Sequence, residues 1–468
     1  MELRQDNNNA EVVQALLKAP LPLRDLRGVR LSASSCQLLT AHSDKLENLH
    51  LDNTFVIARS QDAAEGGDDA ERITVREALA MVTEIARQLP KLRNLRRFAY
   101  TLDPSGSGCG ADEAWLEVMR HRFAMPVFEL PSATTIDMRF MGKLPVVVAP
   151  KAQSIQLTFL ERDVTGNDSK AVVETLQSCS SLTSLNLTGS DQTEFPIACF
   201  TQGSWPRLQR LRMFLSVTSD ALSTLSTALP ALEAVHIAYV RNFDLSRIEE
   251  FLVSHPRLRL VELGEGLDSR SLSQFPTEPS GSRQQALGQR ACKRIWSELQ
   301  SLQSLSLGVC DDALLSAFWF PSLLDLTVQR GRLCSFDKWL ARMPNIERLT
   351  LSHLEVFAFE DSKCTAPRLK QITLAGIADA GETCTSGIVN LLRSAPALEN
   401  VRLAGRFGAE HVAASIISKR SVVPPSLVHE DTSSHSRGPS LVVQLLKACP
   451  QLTVLPPKLR KASSRQRK

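Results

Sequence analysis

Histidine and cysteine are the side chains from which a metal site or a nucleophilic centre would be built, and the chain has nine His and ten Cys among 468 residues. Their spacing supplies neither. No two Cys form a C-x-x-C pair, and the separations Cys179–Cys199, Cys292–Cys310 and Cys364–Cys384 match no zinc pattern. The histidines are scattered, and His429 beside Glu430 completes no ligand set. No G-x-S-x-G elbow, H-E-x-x-H helix, dinucleotide fingerprint or phosphate loop is present. Gly106-Ser107-Gly108-Cys109-Gly110 lacks the following Lys-Ser/Thr that contacts phosphate and metal, so it reads as a loop. The expectation is a non-catalytic chain with no metal and no cofactor.

Charge narrows the partner classes. The net charge is +4, but Lys458, Arg460, Lys461, Arg465, Arg467 and Lys468 hold six positive charges in the last eleven residues. Subtracting them leaves −2 for the remainder, too little for a basic stripe across a folded surface. Nucleic acid is therefore expected only through this tail. The tail has three readings: a solvated terminus, a nuclear localisation signal, or a phosphate-binding arm. Phosphorylation of Ser463 or Ser464 would place negative charge among those cations. No apolar run approaches the roughly 18 residues of a membrane span, and Met1 to Asp6 lacks a basic-then-apolar signal. These features predict a soluble intracellular protein, cytoplasmic or nuclear, with reduced thiols.

What must position any functional side chain is a repeat. Leu182-x-x-Leu185-x-Leu187 recurs as Leu208-x-x-Leu211-x-Met213, Leu232-x-x-Val235-x-Ile237 and Leu258-x-x-Val261-x-Leu263. It returns from Leu302, Leu323, Ile346, Leu369 and Leu398, with weaker copies from Leu26, Leu46, Leu95, Ala133, Ala152 and Leu452. Successive starts lie 30, 26, 24 and 26 residues apart from Ala152, then 21, 23, 23 and 29 from Leu302. This is the period of a leucine-rich repeat, roughly 20–29 residues.

Each phrase predicts a short strand with Leu inward and alternate residues in water. The residue between the last two apolar positions should then be polar. It is Arg30, His50, Asp137, Gln156, Asn186, Arg212, His236 and Glu262 in the first half, with Ala99 the apolar case. In the second half it is Ser306, Thr327, Thr350, Thr373 and Arg402. Helical periodicity occupies 11–19, 72–89, 111–123, 169–179, 219–229, 245–255, 287–299, 386–395 and 440–449, several ending before a Pro such as Pro90, Pro230 or Pro396. The predicted fold is an α/β solenoid of horseshoe form, with parallel strands on the concave side and mostly helices on the convex side. Residues 1–22 read as a capping region, 23–264 and 289–456 as repeats, 265–288 as a polar insertion or linker, and 457–468 as the basic tail. Residues 60–71, 103–112 and 419–440 read as protruding loops.

Cys179 and Cys449 stand three residues before a first repeat Leu, and Cys310 stands three after the last Leu of its phrase. These features resemble the cysteine-containing leucine-rich repeats of F-box proteins. The slot of Cys179 holds Leu229, His255, Met343, Ala366 and Ala395 in other repeats, so its occupants read as core residues rather than ligands. The resemblance implies a substrate receptor that recruits the adaptor of a cullin-type ubiquitin ligase through an F-box. No Leu-Pro-x-Glu opening or Trp-bearing ending of such a box precedes the repeats, which start at about Leu23.

The concave face is the candidate binding surface, for a protein partner the sequence does not name. Arg210, Arg212 and Phe214 form its best local cluster, with His236 and Glu262 in the next two repeats. Asn48, Asp52, Arg97 and Arg139 add flanking exposed positions. The plain alternative is a solvated sheet face with no ligand.

Overall fold

The computed structural model describes residues 17–18, 23–29, 33–54, 56–57, 72–73, 75–103, 125–140, 145–159, 166–189, 200, 205–241, 245–265, 299–311, 315, 319–333, 336–357, 365–375, 388, 390–392, 394–407, 410–418 and 452–455. The predicted helices at 111–123 and 440–449, almost all of those at 11–19 and 287–299, the polar insertion at 265–288 after its first residue, the predicted loops at 60–71 and 419–440, that at 103–112 after its first residue, and the basic tail lie outside them, as does Arg30. Two compact units divide the chain, Met1–Asn242 and Phe243–Lys468.

The first unit runs β1 (Asp25–Val29), α1 (Ala33–Ala41), β2 (Asn48–Thr54), β3 (Val56–Ile57), β4 (Arg72–Ile73), α2 (Val75–Gln88) and β5 (Arg97–Asp103). It continues with β6 (Phe128–Glu129), β7 (Thr135–Phe140), β8 (Val147–Val148), β9 (Ser154–Phe159), α3 (Gly166–Ser178), β10 (Ser184–Thr188), β11 (Arg210–Thr218), α4 (Ala221–Ala228) and β12 (Ala234–Arg241). One strand per repeat joins a parallel ladder in the order β1, β2, β5, β7, β9, β10, β11, β12. The register aligns like positions of the repeat: Leu185 faces Ile155 on one side and Leu211 on the other, and Asn186 faces Gln156 and Arg212. This in-register stacking is the leucine-rich repeat arrangement that the Leu spacing predicts.

The alternation follows the sequence closely. Leu185, Leu187, Leu211, Met213, Val235 and Ile237 are buried, while Asn186 and His236 between them are half-buried and Arg212 is exposed. Each fully buried aliphatic side chain contributes about 1.5–3 kcal/mol of transfer free energy. Where β5 carries aromatics instead of Leu, Phe98 and Tyr100 pack edge-on against Phe128 of β6, with centroids 6.2 and 5.6 Å away.

Two backbone motifs repeat with the sequence. The slot residue three before the first Leu accepts that Leu's N–H, as in Leu182 to Cys179 (3.1 Å), Leu232 to Leu229 (3.2 Å) and Leu258 to His255 (3.1 Å). The carbonyl just ahead of each strand accepts two successive N–H groups of the next repeat. Gln153 takes those of Thr183 and Ser184, Thr183 those of Gln209 and Arg210, and Gln209 those of Glu233 and Ala234. A chain of shared carbonyls thus ties each repeat to its neighbour and fixes the stagger of the ladder.

The second unit contains α5 (Leu245–Ser254), β13 (Leu260–Glu265), β14 (Ser304–Asp311), β15 (Asp325–Leu333), α6 (Phe336–Leu340), β16 (Arg348–Ser352), β17 (Leu354–Phe357), β18 (Gln371–Ala375), β19 (Asn400–Phe407), β20 (Glu410–Ser418) and β21 (Leu452–Leu455). Strands β13, β14, β15, β16, β18 and β19 again form a parallel, in-register ladder. Its end departs from the expected pattern. β19 pairs antiparallel with β20, and β20 antiparallel with β21. Leu452 therefore begins not a further parallel repeat strand but the last member of an antiparallel end, because the chain reverses after Phe407 and pairs back on itself.

Other departures are local. The helix read over 72–89 is two elements: Arg72 and Ile73 form β4 on β3, and α2 begins only at Val75. Helix α1 and the small sheets β3–β4 and β6–β8 are additional to the predicted elements. The described part of the connection between β7 and β9 holds the short strand β8 and no helix.

Candidate functional site

The outward face of the first unit's ladder is built by the period-2 geometry of its strands. On β9 to β12 the outward positions hold Ser154, Gln156 and Thr158, then Ser184, Asn186 and Thr188, then Arg210, Arg212 and Phe214, then Ala234, His236 and Ala238. Asn186 Nδ2 donates to Gln156 Oε1 at 3.2 Å, and Thr188 Oγ1 donates to Asn186 Oδ1 at 3.5 Å. These bonds hold the amide row in one orientation beside Arg212.

Four of the five side chains singled out from the sequence come together here. Arg210 and Arg212 lie exposed on β11, and Arg212 sits in register between Asn186 and His236. Phe214 and the His236 ring pack with centroids 4.6 Å apart and planes at 40°. Among the described residues no acidic side chain pairs with Arg210 or Arg212. The fifth, Glu262, belongs to the second unit, where it is half-buried on β13 opposite Ser306 of β14. The six basic residues of the tail lie outside the described residues.

The other end of the same ladder is electrostatically different. Arg27 pairs with Asp25 at 2.9 Å, Arg24 with Glu47 at 3.8 Å, and Arg139 with Asp137 at 3.8 Å. Asp137 Oδ1, the other carboxylate oxygen, is buried without a partner. In the second unit the outward face is plainer, Thr327, Thr350 and Thr373 in a row, with Asp325 and Arg348 joined by a two-pronged ion pair. That carboxylate, hydrogen-bonding the Arg348 guanidinium, pushes its pKa up.

The cysteine slot is core. Cys179 is 1% exposed, and so is His255 in the equivalent slot, with Leu229 and Ala395 fully buried. Burial pushes the Cys179 thiol up, against hydrogen bonds from Ser178 and the Ala149 backbone. A thiol so placed is neither a nucleophile nor a ligand. Among the described residues no group of three His, Cys, Asp or Glu is close enough to hold a metal ion, and no helix is long and apolar enough to cross a membrane.

A supporting contact had no signal in the sequence. Thr175 and Ser178 of α3 act as partners for the backbone of β8: Val147 N–H donates to Thr175 Oγ1 at 2.9 Å, and Ser178 Oγ donates to the Val147 carbonyl at 2.8 Å. Side chains of a helix thereby satisfy a strand edge that no other strand covers among the described residues.

No known protein-family profile matches the chain, and no curated protein matches it. Solved structures do. The TLR13–ssRNA13 complex is similar over 81% of this chain and 55% of the TLR13 chain, at 14% identity and a TM-score of 0.34. The APL1 leucine-rich repeat domain is similar over 74% of this chain and 91% of its own, at 11% identity and a TM-score of 0.30. This chain thus spans about half the length of the TLR13 chain.

Proposed function

We propose that the chain is a non-catalytic protein-recognition scaffold, and that its binding surface is the outward face of β9 to β12. The observation that carries this reading is the pair Arg210 and Arg212, exposed and without an acidic partner among the described residues, beside the packed Phe214 and His236. Arginine and aromatic side chains are enriched where interfaces concentrate their energy. A regular, stiff ladder holds them without a loop to order, which lowers the entropic cost of association.

A more specific role, substrate receptor of a cullin-type ubiquitin ligase, rests on the resemblance of the Cys179 and Cys449 repeats to those of F-box proteins. The alternative, a nuclear or ribonucleoprotein-associated factor, rests on Lys458, Arg460, Lys461, Arg465, Arg467 and Lys468. Affinity purification of the tagged chain and of Arg212→Glu from native cells, followed by mass spectrometry, separates these readings. The scaffold reading expects proteins that the wild type retains and the variant loses. An identical protein list from both would end it. A cullin and its adaptor in the list would support the receptor role, and RNA-binding proteins lost on deleting 458–468 would favour the alternative.

A further inference from the structure

The outward positions of β9 to β12 as far as Ala238 carry two positive charges and no acid. Within the first unit, the nearest acid to Arg212 on an outward ladder position is Asp137 of β7, three strands and about 14 Å away, and it is engaged with Arg139. Arg210, Arg212 and Phe214 follow one another at two-residue intervals along a single strand, which sets their Cα atoms about 7 Å apart. An extended peptide presents alternate side chains with the same interval.

We propose that this face takes an extended acidic segment of a partner protein, in which two carboxylates at alternate positions meet Arg210 and Arg212 and an apolar side chain two positions further on meets Phe214 and His236. Guanidinium and carboxylate pair through matched forks, so each acid gains two charge-assisted hydrogen bonds as well as charge neutralisation. The Gln156–Asn186 amide pair, already in one orientation, supplies neutral donors and acceptors beside the charged row. This inference deepens the scaffold reading and rests on it. An anionic nucleic acid would meet the same charges, but the face presents only this one pair of free arginines on four strands, where a nucleic-acid footprint needs a stripe.

The test selects ligands without assuming one. A phage-displayed library of random dodecapeptides is panned on the full chain, and the winners are measured by fluorescence anisotropy on the wild type, Arg212→Glu, Arg212→Gln and Arg212→Lys, all checked for native circular dichroism. The expected winners carry Asp or Glu at alternate positions followed by an apolar residue. Their affinity falls about tenfold or more in Arg212→Glu, falls less in Arg212→Lys, and weakens with added salt. Winners that compete for this face without acidic enrichment would overturn the inference and leave the scaffold reading intact. Winners indifferent to every Arg212 variant, or no winners at all, would count against both. An all-uridine RNA that binds more tightly than any selected peptide, with the same Arg212 dependence, would overturn it in favour of nucleic acid.

Discussion

Arg212 and Leu211 are adjacent in sequence, yet the fold gives them opposite jobs. Leu211 is fully buried, and Leu211→Ala should cost about 2–5 kcal/mol through the cavity it leaves. Arg212→Ala should change stability by less than about 0.5 kcal/mol, since it is exposed and makes no ion pair among the described residues. Urea unfolding of the two variants checks the contrast. A large loss in Arg212→Ala would mean the residue is structural. Cys179 gives a second prediction. Its folded-state thiol titrates above the ordinary range, so between that range and its raised value the native state keeps a proton that the unfolded state has released. Its contribution to stability is therefore complete below about pH 8.5 and is lost as pH rises. Wild type should lose stability more steeply than Cys179→Ala above that pH in parallel urea titrations; equal slopes would show the thiol to be exposed. The burial of this slot was legible because chemically different residues, Cys, Leu, His, Met and Ala, occupy it. The Phe214–His236 packing was not, because it joins two repeats 22 residues apart whose register only the folded ladder defines.

At the scale of elements, the repeat strands were readable since inward Leu and outward polar residues alternate over each phrase. The short ones were not. A two-residue strand such as Val147–Val148 has no periodicity to detect, and it is held by β6 on one edge and by Thr175 and Ser178 of α3 on the other. Thr175→Val leaves the Val147 amide without that acceptor, at a cost of about 1–3 kcal/mol. Hydrogen exchange should then accelerate at Val147 while β10 amides stay protected; unchanged exchange would mean another acceptor replaces the hydroxyl. The antiparallel β19–β20 pair was not read from the sequence, because the Leu phrase predicts only parallel strands. Gly331 on β15 marks a close approach that spacing does not reveal. Its φ is +151°, and a Cβ there would lie 1.8 Å from the Cys310 carbonyl oxygen of β14. Gly331→Ala should destabilise the second unit by about 1–3 kcal/mol or more through the strain it forces, seen as a lowered unfolding midpoint. A variant as stable as wild type would place the two strands further apart than described.

Over the whole molecule, recurrence of one phrase made the parallel architecture legible, because each repeat buries its Leu side chains only by stacking on another. What recurrence cannot encode is the partner, since the outward positions are the ones the fold leaves free to vary. They change from the ion-paired positions of β1 and β7, through the arginines of β11, to the threonine row of the second unit. The central claim is that the outward face of β9 to β12 is where another protein binds. Site-specific photo-crosslinking in native cells tests it most directly, with a photoreactive residue at Thr188 on that face and, as comparison, at exposed Glu174 on α3. A discrete crosslinked protein from position 188, lost when Arg212→Glu is added and absent from position 174, is the predicted result. Equal capture from both positions, or capture only from position 174, would contradict it.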